Sequence, residues 1–411
     1  MKEDFFTVVP PQTVLSMVDR FTPVELEDVP LARAHGRVLG RDIVITGDLP
    51  GFARSTMDGF AVRAAATFGA SETNPVYLER MGAVVMGEAP GFCLGAGQAA
   101  EIPTGGMMPE GADSVVIIEH TRLIDNTLLE IFKSAAPGEN VIAADEDFKK
   151  GDIALPGGVR VRSQEAGLLA ALGIVDVTVF RKPTVGIIST GDEVVPAEET
   201  PAPGRVRDVN TYTLAALAEE AGARPVIYGI VDDHPDHLKE KTAAALAECD
   251  MVLLSGGSSL GTRDFTLEVI NSLPDSELLV RGIAIRPGKP TLLARISGKP
   301  FWGLPGQVAS AMVIFSVIVR PFIDRLAGVR GTTRRFNREI SALTARNIPS
   351  VSGREDYIRV RLEEKEGVLL AWPVFGKSGL LNTMTAADGL IVIDADTEGL
   401  KAGTPVSVKL F

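Results

Sequence analysis

The sequence predicts an α/β multidomain protein. Its central part, residues 181–327, is predicted to be a doubly wound domain on a parallel sheet, and a small all-β domain follows over 328–411. From Arg181 onward, short β-branched segments alternate with alanine-rich helical patterns, which is typical of βαβ units. After Arg330 the apolar residues alternate with polar ones at a period of two, as in half-buried strands.

The first 180 residues predict a less regular organisation. A helix is expected over 11–20, and short strands with glycine-rich turns fill 80–158, which indicates two interleaved pieces. The amino terminus lacks the apolar core of a signal peptide. Residues 300–319 carry no formal charge and are about long enough to span a bilayer. Because glycines and Pro305 interrupt this stretch, we expect a buried helix over 308–319 instead.

Elements of the central domain follow from local signals. Asn210 is predicted as the N-cap of a helix that ends at Gly222, and Pro235 as the start of a helix that runs to about Glu248, with Asp232 and Asp233 before it. The remaining elements are strands over 183–189, 225–231 and 251–255, a helix over 264–273, and strands over 278–285, 291–296 and 301–304.

Composition excludes several classes of function. The 411 residues are 45% apolar and 23% charged, which is ordinary for a globular protein of roughly two to four domains. The 41 basic and 53 acidic residues give a net charge of −12, so neither nucleic acid nor an anionic membrane is an expected partner. Two cysteines and four histidines supply little material for a zinc site, and we expect a reducing, cytoplasmic setting.

Two glycine-rich loops follow predicted strands. In open parallel sheets the carboxyl ends of strands bind ligands, and glycine lets backbone amides approach phosphate oxygens. Each loop is a phosphate cradle or an ordinary turn, and the sequence leaves both readings open. The chain contains neither G-x-x-x-x-G-K-[ST] nor G-x-G-x-x-G, which disfavours a P-loop ATPase and a nicotinamide dehydrogenase. The loops are Ser189-Thr190-Gly191-Asp192-Glu193 and Ser255-Gly256-Gly257-Ser258-Ser259.

Charged residues near these loops suit a pyrophosphate ligand. Asp192, Glu193 and Asp264 are hard oxygen ligands of the kind that Mg²⁺ takes together with substrate phosphates, although Asp264 equally suits a helix cap. Arg286 and Lys289 lie on a stiff turn that suits an oxyanion, or that is simply structural.

Other motifs give weaker evidence for a function. The spacing of His234 and His237 near a helix start favours capping over metal binding, since a third ligand is lacking. The sequence also shows no supported Ser/His/Asp or Cys/His constellation, which disfavours acyl transfer.

Taken together in their order and spacing, the motifs resemble the molybdopterin molybdenumtransferase family, MoeA, which is similar to the E domain of gephyrin. A gephyrin-like paralogue of the family fits the departures described below. The segments that carry the resemblance are STMDGFAVR (55–63), IPTGG (102–106), PEGAD (109–113), GEN (138–140), ED (146–147), STGDE (189–193), DVN (208–210), SGG (255–257) through Asp264, RPGKP (286–290) and GLPG (303–306).

The resemblance implies a particular architecture. It predicts a discontinuous mixed α/β domain, an inserted β-rich domain, a molybdopterin-binding parallel-sheet domain and a C-terminal domain that is barrel-like. It also implies a homodimer with a composite active site. The corresponding ranges are 1–46 with 148–180, 47–147, 181–327 and 328–411.

The resemblance also implies an Mg²⁺-dependent enzyme of molybdenum cofactor biosynthesis. Such an enzyme takes adenylylated molybdopterin and molybdate as substrates and releases AMP. Its transient partners would be a molybdopterin adenylyltransferase and molybdoenzymes. A catalytically weakened carrier or scaffold is the alternative, and a nucleotide-processing enzyme that shares only the parallel-sheet domain leaves the first half of the chain unexplained.

By the same resemblance, each motif acquires a role. Asp58, Thr104 and Asp147 would act from the inserted domain of the partner subunit, and Glu193 and Asp264 would support Mg²⁺. Where the family often has lysines, this chain has Arg286 and Gly282, and Gln307 replaces an asparagine. The binding residues would be Ser189, Thr190, Gly191, Asp192, Ser255, Gly256, Gly257, Ser258, Arg286, Lys289 and Pro305.

Overall fold

A computed structural model describes residues 8–256, 262–330 and 339–411, with 262–264 described by their backbone alone. The chain divides into two compact units. Asp42–Pro156 form one unit, and the segments Met1–Arg41 and Gly157–Phe411 form the other. This two-way division does not test the predicted four-part boundaries, which stay a prediction.

The larger unit is built on a six-stranded sheet. The first four strands in the order below are parallel, which confirms the doubly wound domain. The remaining two lie antiparallel to their neighbours at one edge. Ser297 and Gly298 explain that edge, because both have positive φ and close a tight hairpin. Across the sheet the order is Arg224–Val231, Thr184–Thr190, Met251–Ser255, Lys299–Leu304, Leu292–Ile296 and Ser276–Arg281.

Helices cover the sheet and bury its apolar residues. The predicted helix over 308–319 is confirmed as buried, and it continues through a π-helical turn as far as Leu326. Within the described residues, none of the helices has the length and apolarity needed to cross a membrane. The helical segments of this domain are Asn210–Glu220, Pro235–Glu248, Thr262–Ser272, Val308–Ile314, Phe315–Val319 and Arg320–Leu326.

One predicted cap is wrong. Asn210 is the first helical residue rather than the N-cap. The capping acceptor is Asp208, whose Oδ1 accepts the Thr211 backbone N–H at 3.1 Å. The physical reason is that Asp208 supplies an acceptor two residues earlier, which leaves the Asn210 side chain for other contacts. The predicted end of the helix is confirmed, since Gly222 follows it with a φ of +88°.

The C-terminal strands form a closed barrel, as predicted. Glu355–Lys365 pairs with both Val368–Pro373 and Gly389–Ile393, and this double pairing closes the sheet. Ile285–Arg286 joins the same sheet beside Glu355 and Asp356. The barrel strands are Glu339–Thr344, Glu355–Lys365, Val368–Pro373, Gly389–Ile393 and Pro405–Leu410, with a short pair Ile348–Pro349 and Gly399–Leu400 and a helix Asn382–Thr385.

The amino-terminal segment packs against the central domain. Phe21 and Trp302 both make edge contacts with Phe322, at ring-centroid distances of 5.5 Å and 4.9 Å. All three side chains are fully buried. The elements of this region are the helix Pro11–Leu15, a 3-10 turn Ser16–Arg20, a 3-10 turn Leu31–Arg33, the antiparallel strands Leu26–Pro30 and Asp176–Phe180, and the helix Ser163–Ala171.

The smaller unit is a β-rich body. Its six-stranded sheet is mostly antiparallel, and the strands Val76–Ala83 and Gln98–Ile102 form its parallel pair. Strands Ile43–Val44 and Ile153–Leu155 pair at its ends. The sheet order is Ser114–Ile117, Gly59–Val62, Gln98–Ile102, Val76–Ala83, Leu128–Ile131 and Thr121–Ile124, with Arg54–Ser55 and Val141–Ile142 paired beside it and 3-10 turns at Ala64–Thr67 and Ile118–His120.

Candidate functional site

The carboxyl ends of three adjacent parallel strands bring the two glycine-rich loops together. Gly256 shows how closely they pack, because a Cβ built on it would lie 2.1 Å from the carbonyl oxygen of Thr190. The Gly256 N–H donates to the Leu304 carbonyl at 3.3 Å, next to Pro305. The structure therefore gathers the loop after Ser189, the loop after Ser255 and the turn at Pro305. Gly257 and Ser258 lie outside the described residues.

The hydroxyl groups of the first loop serve the framework. Ser189 Oγ donates to Asp208 Oδ1 at 3.0 Å, and Thr190 Oγ1 donates to Asp233 Oδ1 at 2.8 Å. Both residues are buried. These hydroxyls are therefore engaged within the protein, and the loop presents its backbone and the exposed Asp192 and Glu193 to a ligand.

One short segment, residues 208–211, contacts all three strand ends, and we call it the strap. Asp208 accepts hydrogen bonds from Ser189 and from both the N–H and the hydroxyl of Thr211. Asn210 Nδ2 donates to Ser255 Oγ at 2.6 Å and to the Gly306 carbonyl at 2.8 Å. The strap thus fixes the floor of the candidate site.

A group of carboxylates surrounds the first loop. The Asp233 N–H donates to Asp192 Oδ1 at 3.2 Å. Burial raises the pKa of Asp233, the hydrogen bond from Thr190 opposes that rise, and the negative charges of Asp192 and Glu193 add to it. A cation bound here would relieve this crowding. From the sequence, Asp233 is predicted only to precede a helix. Its position two residues after the strand Arg224–Val231 is the signal that could have identified it as a site residue.

The described side chains do not form a complete metal site alone. Among them, no three His, Cys, Asp or Glu residues are grouped closely enough to hold an ion. The side chain of Asp264 lies outside the described part of the chain, although its backbone lies in the first turn of Thr262–Ser272. Mg²⁺ commonly takes one or two carboxylates and completes its shell with substrate phosphates and water, so the exposed carboxylate of Glu193 fits such an ion without three protein ligands.

The arginine of the predicted oxyanion turn already has a partner. Arg286 Nη1 lies 3.4 Å from Oδ2 of Asp356, a fully buried carboxylate. Asp356 also accepts hydrogen bonds from Ser350 and Arg354. Gly288, at a φ of +116°, lets the turn pack on the helix Val308–Ile314. The turn is therefore fixed between the central domain and the barrel, and it also carries Lys289.

Sequence reasoning missed a second arginine beside this turn. Arg359 is buried, and its Nη2 donates to the Gly376 carbonyl at 3.0 Å, whereas its Nε has no partner among the described residues. Burial and repulsion from Arg286 lower the pKa of Arg359. In the period-two pattern Arg359 falls between Ile358 and Val360, on the polar face of the predicted strand. The alternation therefore predicts exposure rather than burial for this residue. Two guanidinium groups whose charges repel each other suit the binding of an oxyanion.

In the smaller unit, the structure joins two of the three residues assigned there. Asp58 Oδ1 accepts hydrogen bonds from the Thr104 N–H at 2.7 Å and from its hydroxyl at 3.0 Å. These two bonds lower the pKa of Asp58. Asp147 lies on an exposed bend whose backbone N–H donates to Leu49. Asp58 and Thr104 thus form a preorganised anionic group.

The histidine pair takes no clear part in the site. His237 Nδ1 lies 2.8 Å from Asp232 Oδ1, which raises the pKa of His237. His234 is the N-cap residue but makes no side-chain capping bond. The capping interpretation is therefore wrong for the side chains, because His234 makes no capping hydrogen bond and His237 pairs with the carboxylate of Asp232.

Comparison with known proteins identifies the family. A model for the MoeA N-terminal region (domain I and II) matches residues 9–173, and one for the MoeA C-terminal region (domain IV) matches 341–411. Between them, a model described as a probable molybdopterin binding domain matches 186–325. The chain belongs to the MoeA family. The further likeness to the gephyrin E domain stays a prediction.

Relatives cover nearly the whole chain. A molybdopterin molybdenumtransferase of Nostoc sp. is 35% identical over 93% of this chain and 88% of its own. One of Bacillus subtilis is 33% identical over 94% of this chain and 90% of its own. The crystal structure of a molybdopterin biosynthesis MoeA protein from Pyrococcus horikoshii OT3 superposes with a TM-score of 0.83 at 30% identity, covering 98% of this chain and 100% of that one. The predicted family and fold are therefore confirmed.

Proposed function

We propose that this MoeA-family chain is a molybdopterin molybdenumtransferase. It takes adenylylated molybdopterin and molybdate, cleaves the pyrophosphate link with release of AMP, and leaves molybdenum on the pterin dithiolene. The observation that carries the proposal is the convergence of two glycine-rich loops and several carboxylates at the ends of four adjacent parallel strands. Curated relatives at 33–35% identity bear the same activity in their names.

The strand-end loops would bind the pyrophosphate. Backbone amides of the loops after Thr190 and Ser255 would face its oxygens, because the loop hydroxyls of Ser189 and Thr190 are engaged elsewhere. Glu193 and Asp264 would hold Mg²⁺, which neutralises charge on the phosphates when bound. Asp192 and Asp233 would keep this end of the site strongly anionic and selective for the cation.

Molybdate would bind at the arginine pair. The charges of Arg286 and Arg359 are close enough to repel each other, and a bound oxyanion would relieve that repulsion. Lys289 on the same turn would add a positive charge. This arrangement meets the need for a cationic receptor despite Gly282, where relatives often carry a lysine.

Asp58, Thr104 and Asp147 would complete the site from the partner subunit of a homodimer. The lowered pKa of Asp58 keeps it an acceptor over the whole physiological range. The transient partners would be a molybdopterin adenylyltransferase, which supplies the substrate, and molybdoenzymes, which receive the product. The protein would act in the cytoplasm.

A carrier protein is the second candidate. The contact between Arg286 and the buried Asp356 favours it, because that guanidinium is partly neutralised. A carrier would bind molybdopterin without cleaving its adenylylated form.

The decisive assay measures AMP release from adenylylated molybdopterin by the purified chain. Reactions with Mg²⁺ are run with and without molybdate, and Glu193→Gln serves as the matched inactive variant. Molybdate-dependent AMP release that Glu193→Gln lacks would support the enzyme. Tight binding of the pterin without AMP release would support the carrier and refute the enzyme.

A further inference from the structure

Asn210 connects two parts of the candidate site that no other described side-chain hydrogen bond joins. Both hydrogen-bonding directions of its Nδ2 are used, one toward Ser255 Oγ and one toward the Gly306 carbonyl. Ser255 ends one parallel strand, and Gly306 follows the neighbouring strand Lys299–Leu304. The Asn210 carboxamide therefore adds a side-chain link between the Ser255–Gly256 loop and the Pro305–Gly306 turn, beyond the backbone hydrogen bond from Gly256 to Leu304.

Helix stability does not explain this asparagine. The capping acceptor of its helix is Asp208, so Asn210 is not required as a cap. Its Oδ1 is buried and has no partner among the described residues. Because an unpaired buried acceptor lowers stability, a residue selected only for folding would not leave one here. The identity of the residue points instead to the two contacts made by Nδ2.

We propose that Asn210 is a positioning residue for molybdenum insertion, which acts by holding the Ser255 loop and the Gly306 turn at the separation that the adenylylated substrate requires. This inference rests on the proposed function. Asn210 acts through Ser255 and Gly306, and the catalytic roles stay with the carboxylates and cations of the site. The reaction is expected to be sensitive to loss of the Asn210 contacts, because small misplacements of a group that binds the substrate reduce turnover steeply.

Asn210→Ala tests the proposal by separating binding from folding. We expect the KM for adenylylated molybdopterin to rise at least tenfold, while the thermal midpoint stays close to that of the unchanged protein. Thr213→Ala is the matched control, because Thr213 lies one turn further along the same helix and its hydroxyl donates to the Asn210 carbonyl at 3.2 Å rather than to either strand-end loop. Its KM should stay unchanged. A KM for Asn210→Ala within twofold of the unchanged protein would overturn the proposal.

A double-mutant cycle with Ser255→Ala tests the route of the effect. If Asn210 acts partly through Ser255, the change in KM caused by Ser255→Ala shrinks in the Asn210→Ala background. Fully additive effects would overturn the proposed route. Should Asn210→Ala fail to fold, Asn210→Ser replaces it, since serine suits a first helical turn but is too short to reach both acceptors.

The experiments distinguish a failure of the proposed function from a failure of the positioning role of Asn210. If the unchanged protein binds AMP but does not release it from the adenylylated substrate, the enzyme assignment is wrong. The positioning role is then measured by AMP affinity, which should fall at least tenfold in Asn210→Ala and stay unchanged in Thr213→Ala. An unchanged AMP affinity in Asn210→Ala would overturn the positioning role.

Discussion

Substituting Gly256 by alanine should separate the two glycine-rich loops and slow turnover at least about 100-fold. Gly256 has a φ of +130°, in the region that L residues rarely adopt. The added Cβ would lie 2.1 Å from the Thr190 carbonyl oxygen, and it must reach at least 3.0 Å, so the loops must open by at least 0.9 Å. The backbone strain at positive φ and the collision with Thr190 both follow from the same added methyl group.

The free-energy cost of Gly256→Ala has two contributions. A residue forced into positive φ costs about 1–2 kcal/mol, and overpacking adds about 1–3 kcal/mol. The sum, about 2–5 kcal/mol, is large enough to shift the loops rather than leave them in place. Displacement of a binding group by ~1 Å lowers rates about 100-fold. We therefore expect AMP release to slow at least about 100-fold.

Gly298→Ala is the matched control for this prediction. Gly298 also has a positive φ, of +79°, but a Cβ there would meet nothing within 4 Å. It lies in the hairpin of the same sheet, so it carries the conformational cost without the collision. Gly298→Ala should lose about 1–2 kcal/mol of stability and keep its turnover. Gly256→Ala turning over within threefold of the unchanged protein would refute the account of the loops.

Three further substitutions test side-chain contacts in the structure. Thr104→Ala removes one hydrogen bond to Asp58 and should raise the pKa of that carboxyl toward its ordinary value, as followed by NMR titration. Arg359→Gln should raise the KM for molybdate at least tenfold and leave AMP affinity unchanged. Asp250→Ala removes the carboxylate that accepts both Nη groups of Arg181 and should cost about 2–3 kcal/mol in chemical denaturation at pH 7.

The stability cost of Asp250→Ala depends on pH. Burial opposes ionisation of Asp250, but hydrogen bonds from Arg181 and Thr184 outweigh it and lower its pKa in the folded chain. Its contribution is therefore fully present above the pKa of the unfolded carboxyl, about 3.9, and is lost as the pH falls through the lower folded value. Stability of the Asp250→Ala variant should converge on that of the unchanged protein in this acidic range. A constant gap at all pH values would contradict the reasoning.

Much of the central domain could be predicted from the sequence because its signals are local. Buried parallel strands are continuous apolar segments, as over 251–255, and Gly222 marks a helix end. The antiparallel edge was missed because Ser297-Gly298 is a weak turn signal next to an expected parallel pattern. Asn210 was misassigned because two residues of one strap are both good caps, and sequence does not tell which acceptor faces the helix.

The candidate site depends on contacts that no local pattern encodes. Asp58 and Thr104 are 46 positions apart, so only the resemblance to a family brought them together before the fold was known. Arg359 alternates with apolar neighbours as a surface residue would, yet it is buried, and the charge of Arg286 lowers its pKa. Asp233 was assigned to a helix start because its contact with Thr190 crosses between two strands.

The central claim is tested most directly by counting products. Purified protein is incubated with adenylylated molybdopterin, Mg²⁺ and molybdate, and AMP and pterin-bound molybdenum are measured in the same samples. The account predicts AMP and pterin-bound molybdenum in equal amounts, with neither formed when molybdate is omitted. AMP release that is independent of molybdate, or that leaves no molybdenum on the pterin, would contradict it.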